Sequence, residues 1–178
     1  MASRRILQLG DPLLRCVSAP VALVPSAEPV WRDLRDTLRE FQRAHGFGRG
    51  ISAIQIGVPE RIVYMEFDGT PYCFINPEWE YLSPEKFELW DDCFSFPDLM
   101  VRVERSHLVR LRYRDEQDVS RQLEASGSFS ELIQHEMDHL DGILAVDRAL
   151  PGNSLCTREE WTRRYRLADP PDSITTTG

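Results

Sequence analysis

Apolar residues recur at Val30, Leu34, Leu38 and Phe41 with charges between them, and the stripe ends at His45 before Gly46. Spacings of three and four place these side chains on one face, so a first long helix is expected with Gly46 as its stop. An extended, proline-rich arm precedes it. From Arg61 the period changes. Ile62 to Met65, Cys73 to Ile75, Phe87 to Trp90 and the alternation from Leu108 to Tyr113 predict short strands, and Asp115-Glu116-Gln117-Asp118 predicts a turn between two of them. Phe129, Leu132, Ile133, Met137 and Leu140 return to helical spacing ahead of Gly142, which predicts a second helix buried on one side. Pro151-Gly152-Asn153 reads as a loop, and a last helix is expected from about Arg158 to Leu167. With no repeats or low-complexity stretches, the pattern predicts a single α+β domain over residues 1–168. Its antiparallel strands pack around a central helix, flanked by an N-terminal and a C-terminal helix. Residues 169–178 are expected to form a flexible tail.

The second helix carries chemistry. His135-Glu136-Met137-Asp138-His139 is an H-E-x-x-H pattern; on a helix, positions four apart stack on one face, so both imidazoles can address one metal ion. Glu136 neighbours a ligand and its carboxylate can reach a water on that ion. A catalytic site of this kind needs a third protein ligand. One candidate is Cys93; the other is Glu159 or Glu160, which would make a zinc endopeptidase. Thr157-Arg158-Glu159-Glu160 is better read as a capping box with Thr157 as N-cap and Glu160 at N3, which leaves Cys93 as the stronger ligand and the endopeptidase open only if Cys93 is not one. Cys16, Cys73 and Cys156 read as small buried apolar residues.

Three segments in order resemble the peptide deformylase family: Gly48-Arg49-Gly50-Ile51-Ser52-Ala53-Ile54-Gln55, Cys93-Phe94-Ser95, and Gln134-His135-Glu136-Met137-Asp138-His139-Leu140. The opening Ile6 to Arg15 and Ile75-Asn76-Pro77 also resemble that family, so the likeness runs from about Ile6 to Leu150. The resemblance implies a hydrolase that removes the formyl group from the N-terminal formyl-methionine of nascent peptides. It implies one divalent ion on Cys93, His135 and His139, with Fe2+ favoured in the cell and Zn2+, Ni2+ or Co2+ compatible. Glu136 would be the general base, and the Gln55 amide and Phe94 N–H would stabilise the oxyanion. Gly50 and Ile51 would bind an extended peptide as an added strand, beside Arg49, Asp92, Glu131 and Leu132.

This chain departs from the family pattern at four positions within those motifs. Arg49 stands where an apolar residue is usual and Ser52 where alanine is; Asp91 and Asp92 replace glutamate and glycine before the cysteine. Glu131 lies one turn before His135 and so shares its face, where an Arg49–Glu131 ion pair is expected at the pocket wall. Two other readings follow: a deformylase-like metalloamidase with an altered substrate, and a metal-binding protein that keeps the fold without the reaction. The complete set of Gln55, Cys93, His135, Glu136 and His139 weighs against the second.

Composition adds bounds. A chain of 178 residues, 42% hydrophobic, suits one domain with a core, and its formal net charge of −8 argues against direct nucleic-acid binding. No apolar run approaches a membrane span, and no signal peptide is apparent. Four cysteines without paired spacing fit a reducing compartment. A cytoplasmic protein with no membrane partner is expected, and the resemblance implies an N-formylated peptide as substrate and transient ribosome association.

Overall fold

The computed structural model describes residues 3–166. Two antiparallel sheets hold one helix between them. The larger has strand order β1-β2-β3-β6-β7, formed by β1 (Gly50–Ser52), β2 (Ile62–Phe67), β3 (Thr70–Leu82), β6 (Leu108–Arg114) and β7 (Ser120–Ser126). The smaller has the order β4-β5-β8, from β4 (Lys86–Asp92), β5 (Leu99–Ser106) and β8 (Leu155–Thr157). Both β1 and β4 are outer strands of their sheets.

The helix α1 (Glu28–His45) follows the predicted stripe: Leu34, Leu38 and Phe41 are buried against β1 and β2. It ends on Gly46, whose φ of 76° is the left-handed conformation that glycine adopts without strain. The helix α2 (Gly127–Leu140) departs from expectation. It is not buried on one side but on every side, because β1, β2, β6 and β7 pack on it from one sheet and β5 from the other. Every residue from Ser130 to Leu140 is therefore inside. The apolar stripe on α2 builds one core with Val63, Met65, Phe74, Val109 and Leu111. The remaining polar face is enclosed with the site.

Other differences are local. The N-terminal arm is not fully extended, since Pro12–Arg15 and Val24–Ala27 each form a 3-10 turn. β3 runs longer than predicted and passes Pro77 by a register shift between Ile75 and Glu78, with Asn76 at φ 52°. Cys73 is buried as expected and Cys156 half-buried, but Cys16 is exposed. The last helix, α3, spans Arg158–Arg164. Thr157 caps it by accepting from the Glu160 N–H at 3.2 Å, while the Glu160 carboxylate pairs with Arg163 and Arg164 instead of closing the box. The predicted tail, 169–178, lies outside the described residues.

Candidate active site

α2 enters the gap between the two sheets carrying His135 and His139 on one face, and the turn after β4 brings Cys93 to meet them. His139 Nε2 lies 3.2 Å from His135 Nε2 and 3.3 Å from Cys93 Sγ. All three residues are buried. Bonds of about 2.0 Å to nitrogen and 2.3 Å to sulfur in a tetrahedral shell put neighbouring donors about 3.3 to 3.6 Å apart. A thiolate and two imidazoles facing one another, away from water, direct lone pairs at a common point that a cation would occupy. The residues fit a metal ion.

His135 is oriented from behind. Its Nδ1 lies 2.9 Å from Asp91 Oδ1, which leaves Nε2 as the nitrogen facing the other ligands. Asp91 in turn receives Arg105 Nη2 at 3.0 Å, and Arg105 Nη1 reaches Asp138 Oδ2 at 2.5 Å. Arg148 Nη2 holds Asp138 from the outer side at 2.7 Å. Burial pushes the Asp91 carboxyl up, yet His135 and Arg105 outweigh it and leave it at about 2. Burial pushes His139 down, and neighbouring His135 adds to that effect; a neutral imidazole is the form that ligates metal.

Glu136 sits beside this set, 3% exposed. Ser52 Oγ donates to its Oε2 at 2.5 Å and is also 3.0 Å from its backbone oxygen. Burial raises Glu136 to about 7 despite the opposing pull of His135 and Ser52. The carboxylate also explains a glycine: a Cβ on Gly50 would fall 2.7 Å from Glu136 Oε1 and 3.0 Å from its Cγ, so a side chain there would displace the carboxylate. Gly48 is constrained by the Phe94 ring in the same way.

Gln55 spans both sheets. Its Oε1 accepts the Ser52 N–H at 2.9 Å, and its Nε2 points at Ser95 Oγ, 3.3 Å away, and Cys93 Sγ, 3.6 Å away. It is thus both a local cap and a donor at the metal set. The Phe94 N–H donates to no acceptor among the described residues, while its ring stacks on Phe41 at 3.8 Å.

A cleft of about 360 Å³ opens onto these groups, between the outer strands β1 and β4. Arg49, Gly50, Gln55, Asp92, Cys93, Phe94, Glu131, Leu132, His135 and Glu136 all line it. Among the predicted residues, His139 lies deeper, and the Ile51 side chain is fully buried in the core against α1 rather than in the cleft. Arg49 Nη2 meets Glu131 Oε2 at 2.7 Å, so the expected ion pair is present. Asp92 is held by Arg158 Nη2 at 2.6 Å, and that guanidinium also lies 3.8 Å from the Phe47 ring.

Sequence reasoning missed Arg105, Ser52 and Arg158 as supports of the site, and gave Asp138 no role. For Arg105 a signal existed: it continues the inward alternation of Val101 and Val103 along β5, where a buried arginine demands acidic partners. Ser52 and Arg158 had no such pattern.

Comparison with known proteins agrees with this geometry. The polypeptide deformylase family profile matches residues 3–154. A peptide deformylase of Bartonella tribocorum is 37% identical over 154 residues, covering 83% of this chain and 84% of that one. One from Phenylobacterium zucineum is 39% identical over 152 residues, covering 83% and 88%. Among solved structures, the Thermotoga maritima peptide deformylase superposes with a TM-score of 0.79 at 30% identity, covering 85% of this chain and all of that one. Antiparallel sheets around an H-E-x-x-H helix, a converging thiolate and two imidazoles, and this span of similarity lead to one conclusion: the chain belongs to the peptide deformylase family of metal-dependent hydrolases.

Proposed function

We propose that residues 1–168 form a single catalytic domain that removes the N-terminal formyl group from nascent formyl-methionyl peptides. The observation that carries this reading is the convergence of Cys93, His135 and His139 beside a buried carboxylate, Glu136, next to a cleft that Cys93, Phe94, His135 and Glu136 line.

Cys93, His135 and His139 would hold one divalent ion, which when bound supplies Lewis acidity and lowers the pKa of water toward neutrality. Glu136 takes the proton released from the attacking water and returns it to the departing amine. Its burial serves this double task, because a carboxyl raised to about 7 can both accept and donate a proton near neutral pH. Ser52 fixes the carboxylate rotamer. The Phe94 N–H and the Gln55 amide supply hydrogen bonds where negative charge develops on the formyl oxygen. The peptide lies extended between β1 and β4, and the outer strand β1, with Gly50 and Ile51, offers it backbone hydrogen bonds.

The donor set suits iron(II), zinc, nickel or cobalt, and we assign iron(II) as the ion in the cell. Activity that decays in air with iron but persists with nickel would support this assignment; identical decay with both would refute it. We further place the enzyme in the cytoplasm, meeting the ribosome only transiently. No helix among the described residues is long and apolar enough to cross a membrane. The direct test of the activity is formate release from a formyl-methionyl peptide by metal-loaded protein. Release that chelator removes and added metal restores is expected; no formate under any metal would refute the reading.

A further inference from the structure

A chain lying between β1 and β4 has one way out of the site. Back along β4 from Cys93, the first residue met is Asp92. Back from Gly50 toward α1, the lip runs through Arg49 and Gly48 to Phe47, whereas forward from Gly50 the residues Ile51 and Ser52 are buried. Asp92 and Phe47 both line the cleft, one on each lip. A peptide whose formyl end sits at the metal ligands therefore leaves between these two side chains.

Arg158, the first residue of α3, ties that pair together. Its Nη2 donates to Asp92 Oδ2 at 2.6 Å, and its guanidinium carbon lies 3.8 Å from the centre of the Phe47 ring. The two attachments differ in kind. On the β4 side Arg158 also gives Nε to the Pro97 oxygen at 2.6 Å and its backbone N–H to the Asp98 oxygen at 2.8 Å. Across the cleft the contact is a ring face, a cation–π interaction without a hydrogen bond. The Arg158 side chain is 25% exposed, so it can swing off the ring into water while its stem stays on the smaller sheet. Asp92 stands where the family pattern has glycine, which makes this bridge a feature of this chain.

Resting on the deformylase reading, we propose that Arg158 is a specificity-determining residue for the part of the substrate beyond methionine. Its guanidinium bars the exit from the cleft, and a peptide that continues past its first residue binds only by displacing it from Phe47. Formyl-methionine amide, which stops at that residue, leaves the bridge closed. A site closed in most molecules lowers apparent affinity in proportion to its open fraction. Removing the bridge therefore strengthens binding of longer formyl-methionyl peptides selectively.

The test compares metal-loaded wild type, Arg158→Met and Arg158→Lys on formyl-methionine amide and on the amide of formyl-methionyl-alanyl-serine. The ratio of the tripeptide KM to the methionine-amide KM should fall by about three- to tenfold in Arg158→Met, without a matching change in the ratio of kcat values. Arg158→Lys keeps the charge but not the planar fork; it should give a smaller fall, and it carries the test if the methionine variant does not fold. General loosening of the protein would move both substrates together. An unchanged KM ratio overturns the proposal, and so does a rise, which would mean that Arg158 grips the peptide instead of barring it. Calorimetric binding of the two amides to the Glu136→Ala protein, with and without Arg158→Met, gives a readout independent of turnover. A gain confined to the tripeptide supports the proposal and an equal change for both refutes it, whereas absence of formate from both substrates counts against the deformylase reading alone.

Discussion

Glu136, the proposed base, combines two demands that conflict in an ordinary protein, since a base must be ionisable and this carboxyl is enclosed. Its folded pKa of about 7 lies above the ordinary 4.5, with burial as the largest cause. A raised folded pKa means that the stability the protonated group contributes is fully present below about 4.5 and is lost as pH rises through about 7. In the metal-free protein Glu136→Gln should therefore be neutral to stability near pH 4.5 and stabilising by on the order of 3 kcal/mol at pH 8, read from urea unfolding at the two pH values. A difference that does not change with pH would contradict the assigned environment. Asp91 permits a second test at this scale. Because it orients His135 from behind, Asp91→Asn should weaken metal affinity by about 10- to 100-fold in a chelator competition, and unchanged affinity would remove that role. The two candidate histidine ligands and the proposed base were legible in the sequence because H-E-x-x-H needs only helical spacing to bring its members together. Asp91 was visible only as a carboxylate beside Cys93, and its contact with His135 depends on how β4 meets α2. Ser52 was noticed only as a departure from the family pattern, and its partner lies 84 positions away.

At the scale of elements, α2 is held by ionic contacts as much as by its apolar stripe. Arg105 on β5 joins Asp91 at the end of β4 to Asp138 on α2, all three buried. Removing the shared cation leaves Asp91 with His135 alone and Asp138 with Arg148 alone. Arg105→Leu should destabilise the protein by about 3–5 kcal/mol and loosen metal retention, measured by denaturant unfolding and metal content of the purified variant; a loss below about 1 kcal/mol would show that the carboxylates find other partners. α1, the core of β2 and the alternation of β6 were legible because their periods are long and regular. The three-residue strands β1 and β8 are too short to show a period, although β1 forms one edge of the cleft. The complete burial of α2 was also hidden, because only its apolar stripe marks a buried face in the sequence, and its polar face is enclosed only where two sheets close over it.

Across the whole molecule, the metal set joins elements that are distant in sequence: Cys93 follows β4 of the smaller sheet, and His135 and His139 lie on the helix between the sheets. An ion held there binds only the folded chain, so chelation should lower the melting temperature and readdition should restore it. Metal at about 100 times its dissociation constant contributes about 2.7 kcal/mol, a shift of a few degrees for a chain of this size. A melting curve indifferent to metal would mean that the set is not assembled as described. The α+β class and the order of motifs were legible along the chain, while the sandwich of α2 between two sheets, which creates the cleft, was not. The most direct test of the central claim compares metal-reconstituted wild type with Glu136→Ala at equal bound metal, following formate release from a formyl-methionyl peptide. The account predicts a kcat lower by about 100-fold or more in the variant; a variant that retains metal and wild-type kcat would contradict Glu136 as the base of this site.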